Sequence, residues 1–196
     1  KLAEGPFQGY PRVYVLAREL ITHTAGRIDL DTVIDFATAY QKTSPLSIGE
    51  TWAVPIMLRL ALVEELRRLA DGVVEARESR EKARRWQKAH PEPQDWSTRS
   101  ITAVLDDARK QDGTVPAPFV LELLQCLRDQ PSTVVPAWQA LHRALQAQED
   151  SVEEMLRLEH QRQAANQLAI SNAIASMRRA SDIDWTQFFE RVNVVE

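Results

Sequence analysis

Between Trp52 and Val63 nearly every position is apolar, and Arg59 is the only charge. The pattern predicts a helix from Ile48 to Ala70 that is apolar on too many sides to lie on a surface, and therefore a central helix buried in a bundle. Ser44-Pro45 favours extended backbone ahead of it. Ser47-Ile48-Gly49-Glu50 has the form of a capping box, in which hydroxyl and carboxylate each satisfy the other residue's backbone N–H. Pro55, one turn inside, removes one backbone hydrogen bond. After Val63 the pattern turns to Glu64-Glu65-Leu66-Arg67-Arg68-Leu69, an amphipathic stretch leaving the core. The helix either breaks near Gly72, where glycine costs about 1 kcal/mol relative to alanine, or runs on as a charged extension to Lys88.

The same periodicity predicts helices on both sides. Val13, Leu16, Ala17, Leu20 and Ile21 repeat at helical spacing within Pro11 to Thr24, which stops at Gly26. Asp29 caps a second helix, Leu30 to Lys42, whose buried face is Val33, Ile34, Phe36, Ala37 and Tyr40. Beyond His90-Pro91-Glu92-Pro93, helices are expected over Thr98 to Gln111, Pro118 to Asp129 and Val134 to Gln148. Ser151-Val152-Glu153-Glu154 reads as a second capping box opening a long helix to Arg179. Ser181 or Asp182 caps a last short helix, and Asn193 to Glu196 forms an extended tail. Period-2 alternation is absent. The expected class is all-α: a helical bundle of seven to eight helices in αα-hairpins, divided at the proline interruption into residues 1–89 and 94–196.

Composition narrows the function. With 44% hydrophobic residues in 196, a sizeable core is available. A formal net charge of −4 argues against nucleic acid as the principal partner. The single cysteine, Cys126, excludes an internal disulfide and reads as a small core residue. No window approaches the length of a membrane span, because Arg59 splits the best candidate. There is no signal peptide, and the start at Lys1 without a methionine reads as a segment of a longer protein.

Few residues invite chemistry. Asp29/Asp31 and Asp182/Asp184 have the Asp-x-Asp form by which many glycosyltransferases hold a metal with a nucleotide sugar. Both precede helices, however, where capping accounts for them. Glu64/Glu65 and Asp106/Asp107 are adjacent on helices and point apart. The four histidines show no ligand spacing, so no metal and no cofactor are expected. Arg77 to Lys88 carries six basic residues interleaved with glutamates, a solvated face with internal ion pairs. The candidate polar or binding residues are Arg59, expected to pair with Glu19 or Asp35 if buried; Glu50; and Arg162, Gln163 and Asn166, in the polar band Glu159 to Gln167. Trp86 and Trp96 are the candidate docking surface.

Several phrases are similar to one family. Gly9-Tyr10-Pro11-Arg12-Val13-Tyr14, Tyr40-Gln41 and the run Pro45-Leu46-Ser47-Ile48-Gly49-Glu50-Thr51-Trp52-Ala53-Val54-Pro55-Ile56-Met57-Leu58-Arg59 resemble cyclic β-1,2-glucan synthases, the NdvB-type glycosyltransferases. Glu159-His160-Gln161-Arg162-Gln163, Ser176-Met177-Arg178 and Asp184-Trp185-x-x-Phe188-Phe189-Glu190 follow in the same order. The resemblance implies a large multi-pass inner-membrane enzyme that polymerises glucose from UDP-glucose, cyclises the product and carries a phosphorylase-like C-terminal region. This segment would lie on the cytoplasmic face, ahead of the membrane-embedded transferase, and none of the family's catalytic residues falls in it.

The leading expectation is a non-catalytic accessory domain that scaffolds the remaining domains of such a synthase. A carbohydrate-binding module for β-1,2-glucan is the first alternative. An independent helical adaptor or nucleic-acid-binding protein, motivated by Arg77 to Lys88, is the second.

Overall fold

The computed structural model of this chain describes residues 2, 4, 7–92, 95–111, 113–128, 135–146 and 152–192. Among them the apolar spacing resolves into eight helices and no strand, so the chain is all-α. In order these are α1 (Arg12–His23), α2 (Leu30–Gln41), α3 (Ile48–Ala89), α4 (Thr98–Ala108), α5 (Ala117–Arg128), α6 (Val135–Gln146), α7 (Val152–Arg179) and α8 (Trp185–Val192). The expected capping box at Ser151, Pro93 of the proline interruption, and the tail Asn193 to Glu196 lie outside the described residues.

Capping chemistry sets several of the starts. The Asp29 carboxylate accepts from the Thr32 N–H at 2.9 Å. Ser47 N–H donates to Glu50 Oε2 at 2.9 Å, and Glu50 N–H donates to Ser47 Oγ at 3.3 Å, which closes the capping box. For α8 the expectation needs correction. Its cap is Asp184, which accepts from Thr186 and Gln187 N–H at 3.0 and 3.2 Å. Ser181 and Asp182 lie in the turn that ends α7, where their N–H groups donate to the Arg178 and Arg179 carbonyls.

Helix α3 runs unbroken through Gly72 for 42 residues. The glycine penalty is local, and Glu64–Arg67, Glu65–Arg68 and Arg77–Glu81 pairs support the helix on either side. Packing divides the chain into two units, Lys1–Ala70 with Ala165–Glu196, and Asp71–Ala164. The divisions fall inside α3 and α7, whereas the His90-Pro91 interruption lies within the second unit as the turn before α4.

In the first unit, Val13, Leu20 and Ile21 of α1, Val33 and Ile34 of α2, Leu58 and Leu62 of α3, Ala173 of α7, and Phe188 of α8 share one core. α2 and α8 lie against each other. In the second, Ile101 and Leu105 of α4, Phe119 and Leu123 of α5, and Leu141 of α6 form another, with α4 against α6.

The expected burial of Ile48 to Ala70 on all sides is not what the fold provides. Val54, Leu58, Ala61 and Leu62 are buried, but Ile48 is 73% exposed, and Trp52 and Ile56 are each 62% exposed. At about 100° per residue, positions 48, 52, 56, 59 and 63 fall on one side of the helix and 54, 58, 61 and 62 on the other. The second side packs into the core with α1, α2 and α8, whereas the first is largely open to solvent. A run that is apolar at nearly every position therefore hides two faces, one in the core and one in solvent.

Candidate functional site

The start of α3 is clamped to α1 by Arg12. Its Nε and Nη2 each donate to the Glu50 carboxylate at 2.6 Å. Its remaining donors reach Ser44 Oγ and the Pro45 carbonyl, both at 2.7 Å. This forked geometry is available to arginine and not to lysine. The Arg12 hydrogen bonds bring the Glu50 carboxyl down to about 2 from an ordinary 4.5. Glu50 is thus brought into a polar network, but one that fixes the entry of a helix.

Because the folded carboxyl is the more acidic one, its contribution is fully present above about pH 4.5 and is lost as pH falls through about 2. Allowing for solvent screening at this half-buried pair, the loss is roughly 1–2 kcal/mol. Urea unfolding at pH 5 and pH 2.5 should show that extra loss in the parent chain and not in Glu50→Gln. Equal acid sensitivity of the two would count against the clamp.

Beyond the clamp, the solvent face of α3 carries Ile48, Trp52, Ile56, Leu60 and Val63, all exposed. The Trp52 indole stacks on Phe189 of α8, with centroids 4.9 Å apart and planes 12° from parallel. Arg59 lies on this face and is itself exposed. Its Nη2 donates to the Ala180 carbonyl at 3.1 Å, and that carbonyl also accepts from Trp185 Nε1 at 3.2 Å. The expected ion pair with Glu19 or Asp35 is therefore corrected. A surface guanidinium needs no carboxylate, and this one closes the turn between α7 and α8.

In the second unit the buried charge is one that sequence reasoning passed over. Glu159 is 3% exposed. Arg162 donates to it through Nε and Nη2 at 2.8 and 3.1 Å, Gln163 through Nε2 at 2.8 Å, and Arg80 of α3 lies 3.5 Å away. Burial pushes the Glu159 carboxyl up, but the hydrogen bonds from Arg162 and Gln163 and the charges of Arg162 and Arg80 together bring it below its ordinary value. Arg162 and Gln163 do come together, but as exposed donors around a buried acceptor and not as inward-facing groups. Asn166, half-buried, belongs to the other unit's share of α7 and takes no part. The available signal was the spacing of Arg162 and Gln163, three and four residues after Glu159.

Beside Glu159 lies a cleft of about 530 Å3 whose lining includes Arg80 of α3, Glu122, Gln125 and Arg128 of α5, Trp138 of α6, and Leu156, His160 and Gln163 of α7. Trp138 is exposed and contacts His142 at 5.0 Å between ring centroids. Nothing in its sequence neighbourhood distinguished it.

The two tryptophans expected to form a docking surface do not. Trp96 is 2% exposed, and its indole N–H donates to the His90 carbonyl at 2.8 Å. It meets Trp86 edge-on at 4.9 Å, and Trp86 in turn stacks on His90 at 4.6 Å. The turn after α3 folds both rings onto the second unit's core. Cys126 is buried there too, its thiol donating to Gln87 Oε1 at 3.2 Å.

The basic stretch is paired rather than bare, through Arg77–Glu81, Lys82–Asp107 and Arg84–Glu122. Among the described residues, no group of three or more His, Cys, Asp or Glu side chains is placed to hold a metal ion, and no helix is long and apolar enough to cross a membrane.

No family model matches the chain. Over 188 residues it is 32% identical to the cyclic beta-(1,2)-glucan synthase NdvB of Rhizobium meliloti (strain 1021). The match takes in 95% of this chain and 6% of that protein's length. The similarity supports a domain of an NdvB-type synthase, and most of such a protein lies in segments other than this one.

Proposed function

We propose that this domain of an NdvB-type cyclic β-1,2-glucan synthase is non-catalytic, and that it steadies the parent by docking on the remaining domains through the solvent face of α3. In this reading glucosyl transfer from UDP-glucose belongs to those other domains, at the cytoplasmic face of the bacterial inner membrane. The observation that carries the proposal is the row Ile48, Trp52, Ile56 and Val63, open to solvent along four turns of one helix.

Isolated apolar side chains on a surface are ordinary, but a contiguous row of them marks an interface. Burying each contributes about 1.5–3 kcal/mol. Trp52, held flat against Phe189, is the rigid aromatic anchor that interfaces concentrate their binding energy on. The occupant is the rest of the same polypeptide. The matched relative is mostly composed of other segments, and docking within one chain avoids much of the association penalty.

The test is Ile56→Asp with Val63→Asp in the full-length synthase. Both positions are exposed, so the isolated domain should unfold within about 1 kcal/mol of its parent. Glucan output in membranes should fall several-fold, and limited proteolysis should release the domain faster. A double variant with parental output and cleavage kinetics would remove the docking role.

A further inference from the structure

We propose that the cleft beside Trp138 in the second unit binds a neutral gluco-oligosaccharide. Sugar rings present a flat face of C–H groups and a rim of hydroxyls, so their sites pair an exposed aromatic plane with planar polar side chains. Here Trp138 and Leu156 supply the apolar floor, both exposed within the cleft. His142, one turn along α6, packs on the indole and limits its swing. Gln125, Gln163 and His160 line the same opening as donors and acceptors for hydroxyls. A volume of about 530 Å3 falls within the range of small-ligand sites.

The charge balance selects against a nucleotide. Arg80 and Arg128 line the cleft together with Glu122 and Glu159, so the lining is neutral overall. Arg80 already faces the Glu159 carboxylate, and Glu122 is occupied by Arg84 at 2.5 Å. A diphosphate would meet as many carboxylates as guanidinium groups, whereas an uncharged polyol meets no repulsion. The neutral-saccharide chemistry comes from the cleft itself. The β-1,2 linkage rests on the synthase reading above.

The experiment is titration of the whole 196-residue chain, 15N-labelled, with a linear β-1,2-gluco-oligosaccharide, a β-1,3 oligomer of equal length, and UDP-glucose. Saturable shifts of the Trp138 indole resonance with the β-1,2 oligomer are expected. Trp138→Ala should weaken binding roughly ten-fold, and Trp138→Phe should retain part of it. Gln125→Ala, a change on one surface of α5, should weaken it several-fold and covers the case in which Trp138→Ala misfolds. No saturable shift with either oligomer, or binding that survives both alanine substitutions in folded protein, overturns the site. Response to UDP-glucose alone overturns the neutral ligand. Response to the β-1,3 oligomer alone supports the saccharide site and overturns the linkage taken from the synthase reading.

Discussion

Phe188→Ala should lower the unfolding free energy of the chain by about 3–5 kcal/mol. Phe188 is fully buried, and it enters the first unit's core from a helix of only eight residues, α8. Two aromatic neighbours meet it edge-on, Trp185 at 5.7 Å and Phe189 at 5.5 Å between centroids. Removing the ring leaves a cavity that so short a helix cannot collapse to fill without giving up its contact with α2, including the hydrogen bond from Gln41 Nε2 to the Val192 carbonyl at 2.8 Å. For a chain of this size the melting temperature should drop by roughly 6–20 °C. Phe188→Leu, which keeps most of the volume, should lose less than half as much. A loss below about 1 kcal/mol on Phe188→Ala in urea unfolding would place that ring outside the core.

The second large effect is expected at Gly26, in the turn between α1 and α2. Its φ is +78°, where a side chain is strained whatever the space around it. Space is absent as well. A Cβ would come within 3.1 Å of the Ala169 carbonyl oxygen and 3.2 Å of the Ala173 amide nitrogen and Cβ. The first two are backbone atoms of α7 and have no rotamer by which to yield. Gly26→Val therefore combines a left-handed backbone penalty of about 1–2 kcal/mol with overpacking of about 1–3 kcal/mol, giving roughly 2–5 kcal/mol of destabilisation. Gly26→Ala should lie between glycine and valine on the same scale. If valine were tolerated within about 0.5 kcal/mol, the close approach of this turn to α7 would be wrong.

How much of this was legible beforehand depends on how local each signal is. Helix positions and the caps at Asp29 and Ser47 were readable because a cap is a contact between residues three apart in the chain. The Ser181/Asp182 assignment failed because both residues lie in the turn that ends α7, and α8 begins only at Trp185, directly after Asp184. The burial of α3 was misjudged for a different reason. Periodicity detects a contrast between two faces, and where both are apolar it cannot tell which one meets protein. Arg59 held the clue, since on a helical wheel it shares the side of Trp52 and Ile56 and so labels that side as the wet one.

Trp96, a candidate docking residue, is instead buried. Its burial depends on a carbonyl six residues back and on Trp86, which no spacing rule connects. Glu159 was hidden among polar neighbours, because its burial and its cross-helix approach to Arg80 are not local to the sequence. The cleft at Trp138 assembles side chains from four helices, and convergence of that kind leaves no trace in a linear pattern.

One contact bears on how the molecule is made. The Ile28 N–H donates to Ser176 Oγ at 2.9 Å across 148 positions of sequence, beside the bond from Asn172 to the Ala25 carbonyl. The α1–α2 hairpin therefore leaves the ribosome without the helix that completes it. At about 5–20 residues per second, it waits roughly 7–30 s for that helix to be translated. Through that interval Ile21, Ile28 and Val33 have only one another and the first turns of α3 for cover, without Ala173 and Phe188, which complete their core. The nascent chain is then at its most vulnerable to chaperone capture or misassociation, so variants that slow elongation between residues 71 and 164 should lower soluble yield even when the finished fold is untouched.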